Sequence, residues 1–191
     1  MNVPSRVNLL PMNLLVAVAV SCLVDLLSAQ GGATITATAH VSGGKSDVSA
    51  PMNVSLDRFS TDTAREALMT ALRSGGTAAA RDLLRRLDPI GSIKVGTATA
   101  AIKYAYARRT GGGRLITAVT DTAIVHIGAG APDAPPKAGF DLGLVLLDLP
   151  ASGSGSGELV PAAKIRVDQQ GAIVTDDYSD VVVRLSDVVA R

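Results

Sequence analysis

Residues Thr97–Arg109, TATAAIKYAYARR, indicate the class of the fold, because their side chains alternate between two sets with a period of two. One set is Ile102, Tyr104, Tyr106 and Arg108, and the other is Ala101, Lys103, Ala105, Ala107 and Arg109. Such alternation is typical of a β-strand whose two faces meet different surroundings. Thr110–Gly113 (TGGG) then predicts a hairpin turn, from which Leu115–Val119 returns as the second strand.

The same period recurs in short segments about ten residues apart, with glycine in several of the intervening turns. Strands at this spacing indicate a meander, a sandwich or a barrel. We expect a mainly β member of the α+β class, with an antiparallel sheet or sandwich of about 8–10 strands and one helical hairpin near its N-terminal side. Outside the first hairpin, the predicted strands are 33–41, 52–56, 93–95, 123–127, 140–149, 158–167, 172–175 and 181–188.

Residues 61–87 carry a helical period instead. Ser60-Thr61-Asp62 supplies residues suited to an N-cap, and Thr63 with Glu66 forms a capping-box pattern. Apolar residues then recur at helical spacing. Gly75-Gly76 predicts a break, and Thr77 is placed to cap a second helix. The two helices of this expected hairpin would bury Ala64, Ala67, Leu68, Ala71 and Leu72 in the first, and Ala80, Leu83, Leu84 and Leu87 in the second.

The first 29 residues predict a secretory signal peptide. Arg6 provides a basic start, Leu14–Val20 an apolar run, and Leu27–Ala29 a site with small residues for cleavage. An uncleaved membrane helix and an ordinary core helix are the alternatives, but Asp25 interrupts the stretch that a bilayer requires. We therefore expect an exported protein, periplasmic or secreted, whose residues 30–191 form one β-rich domain with no transmembrane span.

Cys22, the only cysteine, offers a further alternative. Ala19–Cys22 resembles a weak bacterial lipobox, although the apolar segment continues beyond it through Leu26-Leu27. Lipid anchoring at Cys22 is therefore less favoured than cleavage after Ala29. Cleavage after Ala29 would leave a chain without cysteine, and hence without a disulfide or a thiolate nucleophile.

Composition narrows the classes of partner. The 191 residues carry a formal net charge of +1 and only 3% aromatic residues. Nucleic-acid binders usually show a strong basic excess and stacking platforms, so we expect a protein or a cell-envelope component as partner instead.

Charge is nevertheless unevenly spread along the chain. Residues 58–114 contain 11 basic and 4 acidic residues, a net of +7, whereas residues 115–191 contain 5 basic and 10 acidic residues, a net of −5. The favoured explanation is that the basic residues of the first segment pair with the acidic residues of the second, or that both are solvated at the surface. The alternative is a basic patch that meets anionic lipid or polysaccharide, formed by Arg65, Arg73, Arg81, Arg85 and Arg86.

Catalytic candidates are few. His40 and His126 are the only histidines, and neither belongs to a metal-ligand spacing. If the chain is a hydrolase, His126 and Asp121 form the least implausible acid/base pair, and both must then lie in one cleft.

A calcium site is the corresponding metal hypothesis, and no other cofactor is expected. Asp176, Asp177 and Asp180, with Asp168, supply the carboxylate oxygens that Ca²⁺ prefers. An ordinary polar turn is the alternative for this acidic segment.

The C-terminal half resembles a group of uncharacterised exported bacterial proteins. The resemblance covers about residues 90–191 and departs from the group at Thr122-Ala123, where the group has Arg-Pro. It implies export and a β-rich fold, and it implies no activity. The matching segments are Thr120–Ile124, Pro161–Val167, Asp176–Tyr178 and Val183–Leu185.

Three functions follow as hypotheses. The favoured one is a non-catalytic binding or envelope-associated module that uses a sheet face or the loop Gly128–Gly139. The others are a hydrolase of unknown substrate and a calcium-dependent adhesion module.

Overall fold

The computed structural model describes residues 31–42, 48–124, 138–169, 173–177 and 182–191. The predicted signal peptide with Cys22 therefore lies outside the described residues, as does most of the loop Gly128–Gly139. The described elements are β1 (Ala33–Ser42), β2 (Val48–Leu56), α1 (Asp62–Arg85), β3 (Gly91–Val95), β4 (Ala98–Thr110), β5 (Gly113–Thr120), β6 (Leu142–Pro150), β7 (Gly155–Val167), β8 (Ile173–Asp177) and β9 (Val182–Ala190).

Eight of the strands form a closed antiparallel barrel. Strands β1 to β7 pair in chain order, and β9 pairs with both β7 and β1. Val183 shows the closure directly, since it lies opposite Val41 on one side and Leu159 on the other. The short β8 extends the second half of β7, where Ala163 lies opposite Asp177.

The expected open sheet or sandwich is therefore wrong. A sandwich and a barrel use strands of the same period, so alternation along the chain does not distinguish them. What differs is the partner of the last strand. Here β9 bonds to the first strand, and this long-range pairing leaves no signal in the sequence near either strand.

Branched aliphatic side chains fill the barrel. An eight-stranded barrel has an interior just wide enough for side chains, which explains why isoleucine, leucine, valine and alanine occupy the inward positions. Every strand of the ring contributes to this cluster, with Ile35, Val54, Ile93, Ile102, Ile116, Leu147, Leu159 and Leu185 taken from the eight strands in chain order.

A bulge in β4 interrupts the alternation from which the fold class was predicted. Ile102 lies opposite Thr120 and Tyr104 lies opposite Val119, so Lys103 is the extra residue. A strict period of two would place Ile102 and Tyr104 on one face. The bulge instead leaves Ile102 inside the barrel and turns Tyr104 to the outer face, beneath α1.

Helix α1 packs on the outside of the barrel. Its buried residues Leu68, Leu72 and Leu84 join an outer cluster with residues of β4, β5, β6 and β7. The N-cap of α1 is Thr61, within the expected segment Ser60-Thr61-Asp62, and its side chain accepts a hydrogen bond from the Ala64 amide at 3.2 Å. Thr63, the first residue of the expected capping box, lies inside the first turn instead.

The break expected at Gly75-Gly76 is confirmed, since two helical segments meet there within α1. Gly76 alone leaves helical geometry, at φ 61° and ψ −148°, so the two segments join without the loop expected of a hairpin. Glycine adopts this conformation because it has no Cβ. The bend returns the chain to β4: the Asp62 carboxylate accepts from the Tyr106 hydroxyl at the start of α1, and Lys103 Nζ donates to the Leu87 carbonyl after its end.

Thr77, next to the bend, joins α1 to β7. Its hydroxyl donates to the Ile165 carbonyl at 2.8 Å and accepts from the Ile165 amide at 2.7 Å. A buried backbone group without a partner is costly, and β6 begins too late in the chain to pair with this part of β7. One buried side chain therefore serves both backbone groups of Ile165.

We predict that Thr77→Val lowers the free energy of unfolding by about 2 kcal/mol or more, because both backbone groups of Ile165 lose their partner without a large change of shape. Urea denaturation would measure the change. Thr70→Val, at an exposed position of the same helix, is the matched control and should change the stability by less than about 0.5 kcal/mol. Equal effects of the two substitutions would contradict the assigned role of Thr77.

Candidate functional site

The residues expected to form a hydrolase site are only partly described. Asp121 lies half-buried directly after β5, and His126 lies outside the described residues. Their separation is therefore not tested, and the acid/base pair remains a prediction.

The acidic segment is also only partly described. Asp176 lies in β8 with Oδ1 at 3.8 Å from Arg166 Nε, Asp177 is the last residue of that strand, and Asp168 follows β7. Asp180 lies outside the described residues. Within the described ranges, no group of three or more histidine, cysteine or acidic residues is placed to hold a metal ion, so the calcium site stays a prediction.

A histidine that sequence reasoning set aside lies at the centre of a polar cluster. His40 projects from the outer face of β1, between β2 and β9. Its Nδ1 is 2.9 Å from Ser49 Oγ, and its Nε2 is 2.8 Å from Ser186 Oγ. The cluster extends one step further, because the Ser186 hydroxyl donates to Asp187 Oδ2 at 2.9 Å.

The direction of these hydrogen bonds restricts their chemistry. A serine hydroxyl has one proton, and Ser186 gives its proton to Asp187. The Ser186 oxygen is therefore left to accept from His40 Nε2, while the Ser49 hydroxyl lies within hydrogen-bond distance of Nδ1. Both ring nitrogens are occupied by serine hydroxyls of the protein itself, so the cluster orders the side chain of His40.

A second bulge positions this cluster. Opposite β1, Thr36 faces Val189 and Thr38 faces Ser186, so Asp187 and Val188 together oppose Ala37. Asp187 has a positive φ of 52°, which aspartate tolerates better than most residues. The bulge turns the Asp187 carboxylate towards the hydroxyl of its neighbour Ser186. No pattern in the sequence indicates that a bulge forms here.

The outer surface of the barrel has two different sides. Helix α1 covers apolar residues of β4 to β7, including Tyr104, Val119 and Leu144. The other side, which we call the polar face, consists of the outward residues of β9, β1, β2 and β3, and α1 does not contribute to it. The polar face comprises Thr34, Thr36, Thr38, His40, Ser49, Asn53, Ser55, Ser92, Lys94, Arg184 and Ser186, with Pro51 and Val189 as its apolar members.

The side chains of the polar face lie in rows across the strands. Thr36, Asn53 and Lys94 form one row, and Thr34, Ser55 and Ser92 form another. Neighbouring strands are about 4.8 Å apart, and residues of one face repeat about every 6.8 Å along a strand, so hydrogen-bonding groups recur at regular intervals.

Comparison of the chain with protein-family models, with curated proteins and with solved structures found no match. No family is assigned. The resemblance to exported bacterial proteins therefore remains a prediction. Among the described residues, no helix combines the length and the apolar character needed to span a bilayer.

Two tyrosines of β4 hold the first half of α1. Tyr106 donates its hydroxyl to Asp62 Oδ1 at 2.9 Å, and the Arg65 guanidinium lies 5.5 Å from the centre of the Tyr106 ring. The hydrogen bond to Asp62 raises the pKa of Tyr106. Tyr104 is buried beneath the helix, and its burial raises its pKa to about 12. These contacts attach the first half of α1 to β4.

We predict that stability falls as the pH rises from about 10 to 12, because the unfolded chain ionises Tyr104 near its ordinary pKa of 10 while the folded protein keeps it neutral up to about 12. Urea midpoints measured across this range should fall less in Tyr104→Phe, which cannot ionise there. Comparison with each protein's own midpoint at pH 7 removes the packing effect of the lost hydroxyl. A loss of stability as steep in Tyr104→Phe as in the unchanged protein would contradict this assignment.

Proposed function

We propose that the chain is a non-catalytic, exported binding module of the cell envelope, and that the polar face is its binding surface. The observation that carries the proposal is the position of His40, which serines from both neighbouring strands hold on an outer face that α1 leaves uncovered. A preordered polar side chain in such a position is suited to ligand recognition, because less side-chain entropy is lost on binding.

The described chemistry favours binding over catalysis. A catalytic serine is normally activated by a base that accepts its proton, and the base is itself held by a third group. Ser186 directs its proton to Asp187, away from His40, and Ser49, which is paired with His40 Nδ1, lies exposed on the convex outer face of the barrel. The barrel interior supports the same conclusion, since aliphatic side chains from every strand of the ring fill it, and among the described residues the buried polar side chains are those of Thr77 and Thr120.

A hydroxyl-rich glycan is the ligand class that the polar face fits best. Hydroxyls both donate and accept hydrogen bonds, and the amide of Asn53 adds two donors and an acceptor. Regular rows of such groups match a polymer with repeating hydroxyls and amides. The predicted signal peptide would place the protein where envelope glycans occur.

We predict that soluble peptidoglycan glycan strands raise the melting temperature of the full chain by several degrees at saturation. The double variant Thr36→Val/Asn53→Leu should lose this shift, because it removes hydrogen-bonding groups from the centre of the polar face while keeping similar volumes. Thr70→Val on α1 is the control and should keep the shift. Equal shifts in the double variant and the unchanged chain would refute binding through the polar face.

Two other results would replace the proposal with its alternatives. A rise in melting temperature with CaCl₂ alone, lost in Asp176→Asn, would support the calcium-dependent adhesion module. Consumption of the glycan, lost in Asp121→Asn or His126→Gln, would support the hydrolase.

A further inference from the structure

The hairpin between β4 and β5 ends in a cluster of three arginines, which we call the arginine tip. It consists of Arg108, Arg109 and Arg114, separated by a short turn through Gly111-Gly112. Arg108 and Arg109 are exposed, and Arg114 is half-buried.

Two of these arginines face each other across the hairpin. Arg109 lies directly opposite Arg114, and like charges at directly opposite positions destabilise a strand pair. Within the described part of the chain, none of the three arginines forms an ion pair. The closest acidic residue in the strand register is Asp148, which shares a cross-strand row with Arg108 through Leu115 and lies on the opposite face of the sheet from Arg109 and Arg114. The repulsion between Arg109 and Arg114 thus has no described counterion in their own row.

The tip lacks the walls of a small-molecule pocket. The neighbouring loop after β6 bonds to it, with the Ala151 amide donating to the Gly112 carbonyl at 2.8 Å. That loop, residues 151–154, contains only alanine, serine and glycine, and all four residues are exposed. Short side chains on both loops allow a flat partner to approach the arginines closely.

The two ends of the barrel differ in charge. Strands β2, β4 and β9 run in the same direction, so Arg58 after β2 and Arg191 after β9 lie at the same end as the arginine tip. Asp57, Asp88 and Asp148 are also at this end, which keeps a basic excess. The opposite end, where β5 and β7 finish and β6 begins, carries Asp121, Asp141, Asp168 and Asp176 together with Lys94, Lys164 and Arg166, and Asp141 and Asp176 are paired there with Arg81 and Arg166. An anionic surface would therefore attract the tip more strongly than the opposite end.

The basic residues of α1 are less suited to this role. Arg81 is paired with Asp141 at 3.1 Å, and Arg65 lies over the ring of Tyr106. Glu66 and Asp82 are exposed on the same helix and reduce its net charge.

We infer that the arginine tip docks the barrel onto an anionic phospholipid surface, with the guanidinium groups bound to headgroup phosphates. Guanidinium groups match phosphate oxygens in pairs of hydrogen bonds. Neither loop offers an aromatic or large aliphatic side chain for insertion into the hydrocarbon, so the attraction is electrostatic. The inference rests on the envelope location in the proposed function, but it uses a different surface.

The test is co-sedimentation of the full chain with vesicles of phosphatidylcholine that contain about one-third phosphatidylglycerol. Each arginine near such a surface strengthens binding about fivefold, so Arg108→Gln/Arg109→Gln/Arg114→Gln should weaken binding about a hundredfold. Raising the salt to about 0.5 M should release the unchanged protein. The matched control is Arg73→Gln/Arg85→Gln/Arg86→Gln, which removes the same charge from exposed positions of α1 and should weaken binding far less.

Several results would overturn the inference. These are equal binding to pure phosphatidylcholine, equal loss in both triple variants, and binding to a soluble anionic polysaccharide without binding to vesicles. The single variant Arg109→Gln, which relieves the like-charge pair, should keep the melting temperature and still weaken binding about fivefold, which guards against misfolding of the triple variant. Thr36→Val/Asn53→Leu should bind vesicles normally, so failure of the polar face and failure of the tip are distinguishable.

Discussion

The pairing of β9 with both β1 and β7 is the constraint on which the rest of the structure depends. It closes the ring, so that the aliphatic side chains of eight strands meet in one interior. Closure also removes the free strand edges that an open sheet would expose along β1 and β7. Because the interior is filled by hydrocarbon, polar chemistry is confined to the outer surface and the two ends of the barrel. The location of any binding function follows from this division.

Helix α1 then divides the outer surface of the barrel into a covered part and a part exposed to solvent. Gly76 bends α1, so that both of its ends return to β4, and Thr77 ties the bend to β7. The strands beneath α1 carry aromatic and aliphatic residues outward, whereas β9, β1, β2 and β3 carry mainly hydroxyl and charged side chains outward, with Val189 as an apolar exception. Each outer face thus has the side chains suited to what covers it, since only a covered face gains by burying apolar area. The face left to solvent is free to bind a polar ligand.

Both proposed binding surfaces depend on residues that are distant in sequence or that occupy opposing strands. His40 meets Ser186 across 146 residues, and the bulge at Asp187 completes their cluster. Arg109 and Arg114 are close in the chain, but only the register of the hairpin places them directly opposite. A candidate site chosen by residue type alone, such as His126 with Asp121, does not take into account which strands are neighbours or in which register they pair. The sequence therefore did not predict the His40 cluster.

Local patterns in the sequence determined which segments became strands and helix. The period of two predicted strands at 33–41, 140–149 and 158–167, and the helical period predicted residues 61–87, which agree with β1, β6, β7 and α1. Only the tertiary structure decided that the strands close into a barrel, that Lys103 forms a bulge, and that the two segments of α1 both return to β4. These features arise from hydrogen bonds and packing between segments far apart in the chain, whereas periodicity reports only how one segment divides its own side chains between two faces.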